Sequence, residues 1–277
     1  MPTAADSGQS GRPTRDEPNW AVLKFAPCTA ASVALGVIGH CYSTAKQLGH
    51  LPRGATTPPI SLFGVSNPEY RIYACGMTVV AGLFVCMARP LNSWMSGAVP
   101  PALREDVSSI YKSGLGAFAG LAVHGVIPLQ ANIVQIIEGR RDLEMIWTTQ
   151  VHQMAAGVFF TASLYHGWNM IQLQCDERAA ALPVSWARCP LSVVFKGAGL
   201  LAGILPLFGS MVYHPAAQGH NAASKLDMAG LLQYGVVGGI ILMYLSYSYD
   251  FWVLQRDAMT RGASNGAAET GKGEKAE

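Results

Sequence analysis

The chain has 277 residues, half of them hydrophobic, and only 13% carry a formal charge. A soluble domain carries about 25% charge, so this chain lacks the polar surface that a globule of its size needs in water; its mean hydropathy of +0.24 agrees. A net charge of +2, with no basic stripe or nucleic-acid-binding motif, excludes nucleic acid as an expected partner.

Residues 1–20 are polar and rich in Pro, Gly and Ser. They lack a basic segment followed by an apolar run, so they are expected to be a disordered cytoplasmic tail and not a cleaved signal peptide. Six apolar stretches follow, at about 22–42, 70–89, 114–137, 148–172, 190–213 and 227–252. Each approximates the ~20 residues that carry a helix across a hydrocarbon core. Lipid offers no partner to backbone N–H and C=O groups, so each stretch must be helical. The expected fold is therefore an all-α integral membrane protein, a single bundle of six transmembrane helices over residues 21–256. Residues 257–277 read as a second disordered cytoplasmic tail. The alternative, a large soluble protein with buried core helices, sits poorly with the charge content.

The first connection, about 43–69, is the longest, and it ends in "PPISLFGVSNPEYR". Its prolines, Pro59 and Pro68 among them, fix φ, and Gly64 permits a turn that a Cβ would oppose. With Ile60, Ser61, Glu69 and Arg71 it is the first candidate site, either a shaped functional loop or a plain cap on the bundle. Twelve of the nineteen Lys and Arg residues lie in the tails and the second and fourth connections, and six on the other side. Positive charge marks the cytoplasmic side, so both termini are expected there, with the 43–69 connection facing a lumen or the exterior. Lys196 falls inside the fifth span.

Within the third span, Pro128 predicts a kink, and Gln130, Asn132 and Gln135 give this part an unusual polar load. Such groups face a bundle interior, either bonded across helices or lining a cavity. Three GxxxG pairs, Gly116/Gly120, Gly199/Gly203 and Gly235/Gly239, read as packing seams within the bundle. His124, Gln130, His152, Gln233 and Asp250 are the candidate polar bundle positions. His152 and His166 lie fourteen residues apart on one helical face, about 21 Å along it, which leaves a haem-binding cytochrome as a distant alternative. No metal-ligand spacing such as HxxxH, HExxH or CxxC is present, so no metal and no cofactor are expected. Asp250, in "YLSYSYDFW", reads as an interface residue within an aromatic belt. Cys41 and Cys75 fall near one end of their spans and are expected to be free. No catalytic motif and no inverted repeat argues for a hydrolase or a transporter, so the chain leans non-enzymatic.

Several segments in order resemble the Frag/DRAM/Sfk family of six-helix membrane proteins. "ISLFGVSNPE", Ile60 to Glu69, is similar to that family's I-S-x-x-G-x-x-x-P-E signature. "VIPLQ" resembles its V-x-N-F-Q, with Pro128 in place of Asn. "VHQMAAGVFFTASLYHGW" resembles its fourth-span His pattern. "LLQYGVVGGIILMYLSYSYDF" resembles its sixth span, with Gln233 where Glu is usual and Asp250 at the end. The Ile60–Glu69 spacing looks most like the DRAM branch. The resemblance implies a modulator of autophagy or membrane trafficking that partners membrane lipids and other membrane proteins. The alternative it implies is a GPI-anchor lipid-remodelling factor. It implies an endomembrane location, lysosome/vacuole or Golgi/ER, with the plasma membrane as a further branch.

Overall fold

The structure is a computed structural model of the chain, and it describes residues 18–137, 144–212 and 222–273. His214 and His220 lie outside the described residues, as does most of the 1–20 tail. The described residues are 82% helical, with no strand among them. Eight helices follow one another: α1 Trp20–Leu23, α2 Ala26–Leu48, α3 Glu69–Ala98, α4 Arg104–Val126, α5 Ile133–Ile137, α6 Trp147–Cys175, α7 Pro190–Val212 and α8 Ala222–Gly273.

Four segments are long and apolar enough to cross a membrane: Trp20–Leu48, Glu69–Ala98, Pro190–Gly209 and Ala223–Thr260. α4 and α6 are not among them, and their composition explains why. α4 opens on Arg104, Glu105 and Asp106 and carries Lys112 and three serines. α6 carries two histidines, four glutamines and an asparagine. Outward positions of the bundle hold large apolar side chains that water would not tolerate in such number, among them Leu35, Val79, Val158, Leu201, Leu205 and Phe208. Together with the four apolar helices, they mark an integral membrane protein.

The helices close into a ring: α2 packs on α3, α3 on α4, α4 on α6, α6 on α7, α7 on α8, and α8 returns to α2. Lipid supplies no hydrophobic drive between helices, so close backbone approach must do the work. The glycine pairs supply it. A Cβ on Gly120 would press on the α6 backbone at Ala155 and Phe159. One on Gly199 would press on the Gly239 carbonyl, and one on Gly235 on the Pro206 ring. All three pairs are thus seams within one chain.

Three boundaries differ from the sequence reading. α3 continues through Pro90 to Ala98, beyond the expected end near 89. The expected third span, 114–137, is not one kinked helix: α4 ends at Val126 and Ile127 is extended (φ −84, ψ 118). Proline disfavours helix at the residue before it as well as removing its own N–H, so Pro128 ends the helix instead of bending it. The backbone groups this exposes find other partners. Gln130 N–H donates to Thr149 Oγ1 (3.0 Å), and Gln130 Oε1 accepts from Ile146 N–H (2.9 Å). Gln130 Nε2 donates to the Glu144 carbonyl (3.1 Å). Gln130 is the clamp between the end of α4 and the start of α6, which makes its polar load structural. α8 also runs on, from the expected end near 252 to Gly273.

Candidate functional site

The 49–68 connection begins where Gly49, in the left-handed conformation (φ 71), ends α2. That conformation suits a residue without a Cβ. The connection then folds back over one end of the bundle. Pro58, Pro59 and Ile60 are buried, and Ile60–Gly64 forms a short 3-10 turn in which Phe63 is 2% exposed. The loop is therefore a plug: apolar side chains point inward and the backbone covers them.

Several elements fix this plug. Asp227 of α8 accepts from the Thr56 and Thr57 amides (2.7 and 2.6 Å) and from the Thr56 hydroxyl (3.1 Å). Gln233, one and a half turns on, accepts from Ser61 N–H (3.4 Å). The Gly64 carbonyl accepts from Leu129 N–H (3.2 Å), and a Cβ on Gly64 would touch His152. At Gly230 the α8 backbone lies so close to the loop that a Cβ would overlap the Thr57 carbonyl. Replacing Asp227 with alanine removes three charge-assisted bonds from residues 56–57. Limited proteolysis of the purified variant is expected to cleave the 51–59 segment several-fold faster than wild type, with the rest of the bundle protected.

Glu69 opens α3 and is 1% exposed, whereas Arg71, two residues on, is exposed. The two therefore do not form one site. The partner of Glu69 is His50, which donates from Nδ1 to Oε1 at 2.7 Å. The Glu69 carbonyl accepts from the Cys41 thiol (3.5 Å). Cys41 is buried and Cys75 exposed, and both are free.

Beneath the plug lies a polar layer. Tyr73 hydroxyl meets His124 Nε2 (2.8 Å), and the rings of His124 and His152 lie 4.0 Å apart. His152 donates from Nδ1 to the Ile127 carbonyl (2.7 Å), the group that the Pro128 break sets free. Its Nε2 is then an acceptor, buried and without a partner. His124 Nδ1 faces the His152 carbonyl at 3.4 Å, so its Nε2 takes the tyrosine proton.

This layer forms the top of a narrow apolar slot among the helices, about 50 Å³ in volume. Ile60 from the plug, Tyr73, His124 and Gln233 line it, with Ala30 and Ala34 of α2 along one side and Phe84 and Tyr244 deeper in. A narrow space of this kind, apolar along its length with polar groups at one end, matches an unbranched hydrocarbon chain in its chemistry, and a full chain would have to part the surrounding side chains to enter. Comparison with protein-family models, curated proteins and solved structures finds no match. The reading of this site therefore stands on its geometry and on the sequence.

At the opposite end of the bundle lies Asp250. It is not an exposed belt residue but 1% exposed, ion-paired with Lys196, which is wholly buried (2.5 Å). Lys196 also donates to Ser192 (2.5 Å) and lies 4.5 Å from the centre of the Tyr247 ring. Tyr247 hydroxyl donates to His166 Nε2 (2.7 Å), because His166 Nδ1 is committed to the Ile110 carbonyl (2.9 Å). Both ring nitrogens of His166 are thus engaged, and an axial haem ligand at Nε2 would have to give up the Tyr247 bond. Among the described residues no group of three or more His, Cys, Asp and Glu could hold a metal ion.

The five bundle positions thus fall into three places. His124 and Gln233 line the slot, with His152 against the His124 ring, while Gln130 clamps the helix break and Asp250 belongs to the far end. Sequence reasoning missed His50 as partner of Glu69 and Lys196 as partner of Asp250. A lysine in the apolar run "PLSVVFKGAGLL" was the available signal for the second pair, since an ionisable residue in a span demands a partner.

Proposed function

We propose that this chain is a six-span, non-enzymatic modulator of autophagy or membrane trafficking of the Frag/DRAM/Sfk type, acting by holding a lipid chain in its central slot. In this reading α4 and α6 also cross the membrane, with His124, His152, Ser163 and His166 buried within the bundle. Both tails are cytoplasmic and the plug faces the lumen. The supporting observation is the slot itself: an apolar space left open in the bundle is not needed for packing alone, and the loop, α2, α3, α4 and α8 all contribute to its lining. The order of the sequence segments that resemble the family supplies the cellular role, and the chain acts in the endomembrane system, at lysosome/vacuole or Golgi/ER.

GPI-anchor lipid remodelling is the second reading, and the His50–Glu69 pair favours it. A carboxylate orienting an imidazole is two thirds of an acyl-transfer triad, and it lines a separate pocket beside the plug.

Localisation and loss-of-function experiments separate the two. The first reading expects the tagged protein on lysosomes or vacuoles and altered autophagic flux on loss, with GPI-anchored surface proteins unchanged. Ala34→Phe, which fills the slot, is expected to reproduce the loss while the protein still inserts. Golgi or ER staining with unchanged flux and mis-sorted GPI-anchored proteins would replace the first reading with the second.

A further inference from the structure

On the outer side of the plug lies a separate pocket of about 120 Å³, lined by His50, Leu62, Phe63, Val65, Ser66 and Glu69 among others. Glu69 is 1% exposed, and its two oxygens differ. Oε1 accepts from His50, whereas Oε2 is equally buried and has no hydrogen-bond partner. A buried carboxylate oxygen left unpaired forfeits the hydration it had in water and gains nothing in return. The group that settles in this pocket must therefore bring a donor to Oε2.

The surroundings narrow the choice. The described residues offer no cluster of three or more metal-ligating side chains, so a multiply ligated divalent cation has no site here. A quaternary ammonium has no N–H to give and calls for a cage of aromatic faces; Phe63 and the His50 ring are the aromatic members of this lining. A primary ammonium carries three donors on a compact cation. One can reach Oε2, and the hydroxyl of Ser66 on the same wall can take another. Charge-assisted bonds of this kind are the strong ones.

We propose that this pocket binds a primary ammonium group, presented by an ethanolamine lipid headgroup or by a free small amine. The proposal deepens the lipid-binding reading above and rests on it only for the lipid as the source of the ammonium.

The test uses the full chain purified in nanodiscs of equal phosphatidylethanolamine and phosphatidylcholine content, with retained phospholipid measured by native mass spectrometry. Wild type is expected to retain phosphatidylethanolamine about tenfold or more over phosphatidylcholine, the scale of one charge-assisted hydrogen bond. Glu69→Gln turns an acceptor-only group into one that also donates, and it is expected to abolish the preference. Val65→Trp fills the pocket with Glu69 intact and is expected to do the same, which covers the case in which Glu69→Gln fails to fold. Binding of free ethanolamine by calorimetry, lost in both variants and without a lipid preference, supports the pocket and assigns it to a soluble amine. No preference together with no ethanolamine binding in wild type overturns the proposal, as does a preference that survives both substitutions. Failure of the slot reading looks different: Ala34→Phe would then leave total retained lipid unchanged whatever the headgroup.

Discussion

Replacing Asp250 with alanine is expected to cost about 3–5 kcal/mol of stability, the scale for removing one partner of a buried ion pair. Lys196 would be left wholly buried with Ser192 and the face of Tyr247 as its remaining partners. Neither neutralises an ammonium. Lys196→Ala is expected to be as damaging, because it strands the carboxylate. The informative variant is the double one. Lys196→Met with Asp250→Leu removes both charges at similar volume and is expected to recover most of the loss, since a buried pair contributes little beyond its hydrophobic replacement. Thermal unfolding of the purified variants, followed by loss of the monodisperse peak in size exclusion, reads this directly. A double variant as unstable as the singles would mean that the pair shapes the bundle in some way other than charge neutralisation.

Gly239→Val is the second large effect. A Cβ at this position would meet the Gly203 amide and the Gly199 carbonyl of α7, which are backbone atoms that no rotamer change can move. α7 and α8 would have to separate. Overpacking a tight core costs about 1–3 kcal/mol where side chains can give way, and here none can, so the upper end or beyond is expected. Gly238→Val, one residue along and with no neighbouring atom within reach of a Cβ, is the control and is expected to fold normally. Cross-linking between cysteines introduced on α7 and α8 would show whether the pair has opened. Normal cross-linking in Gly239→Val would contradict the packing described.

Four of the expected spans were legible because hydropathy in lipid is nearly a one-variable problem: a span must be apolar and about one bilayer long, whereas the polar residues of α4 and α6 keep those two helices off that criterion. The glycine seams were legible for the same reason, since close approach in lipid needs small residues. What the sequence hid depends on contacts between distant positions. His50 and Glu69 are nineteen residues apart, and Lys196 and Asp250 fifty-four; no periodicity links either pair. Asp250 looked like a belt residue because Tyr249 and Trp252 flank it, yet those two stack on each other while the carboxylate turns inward. Pro128 suggested a kink because polar residues continue the pattern beyond it. In the structure Gln130 does not extend a helix but receives the chain ends that the break creates. The loop motif was legible as a feature but not as a plug, because its burial comes from α8, through Asp227, Gly230 and Gln233.

The central claim is that the slot beneath the plug holds a lipid chain. Native mass spectrometry of the detergent-purified protein tests it most directly. Wild type is expected to carry one tightly retained lipid per chain, and Ala34→Phe, folded by size exclusion, is expected to carry none. Wild type without retained lipid, or Ala34→Phe with the same occupancy as wild type, would contradict the account.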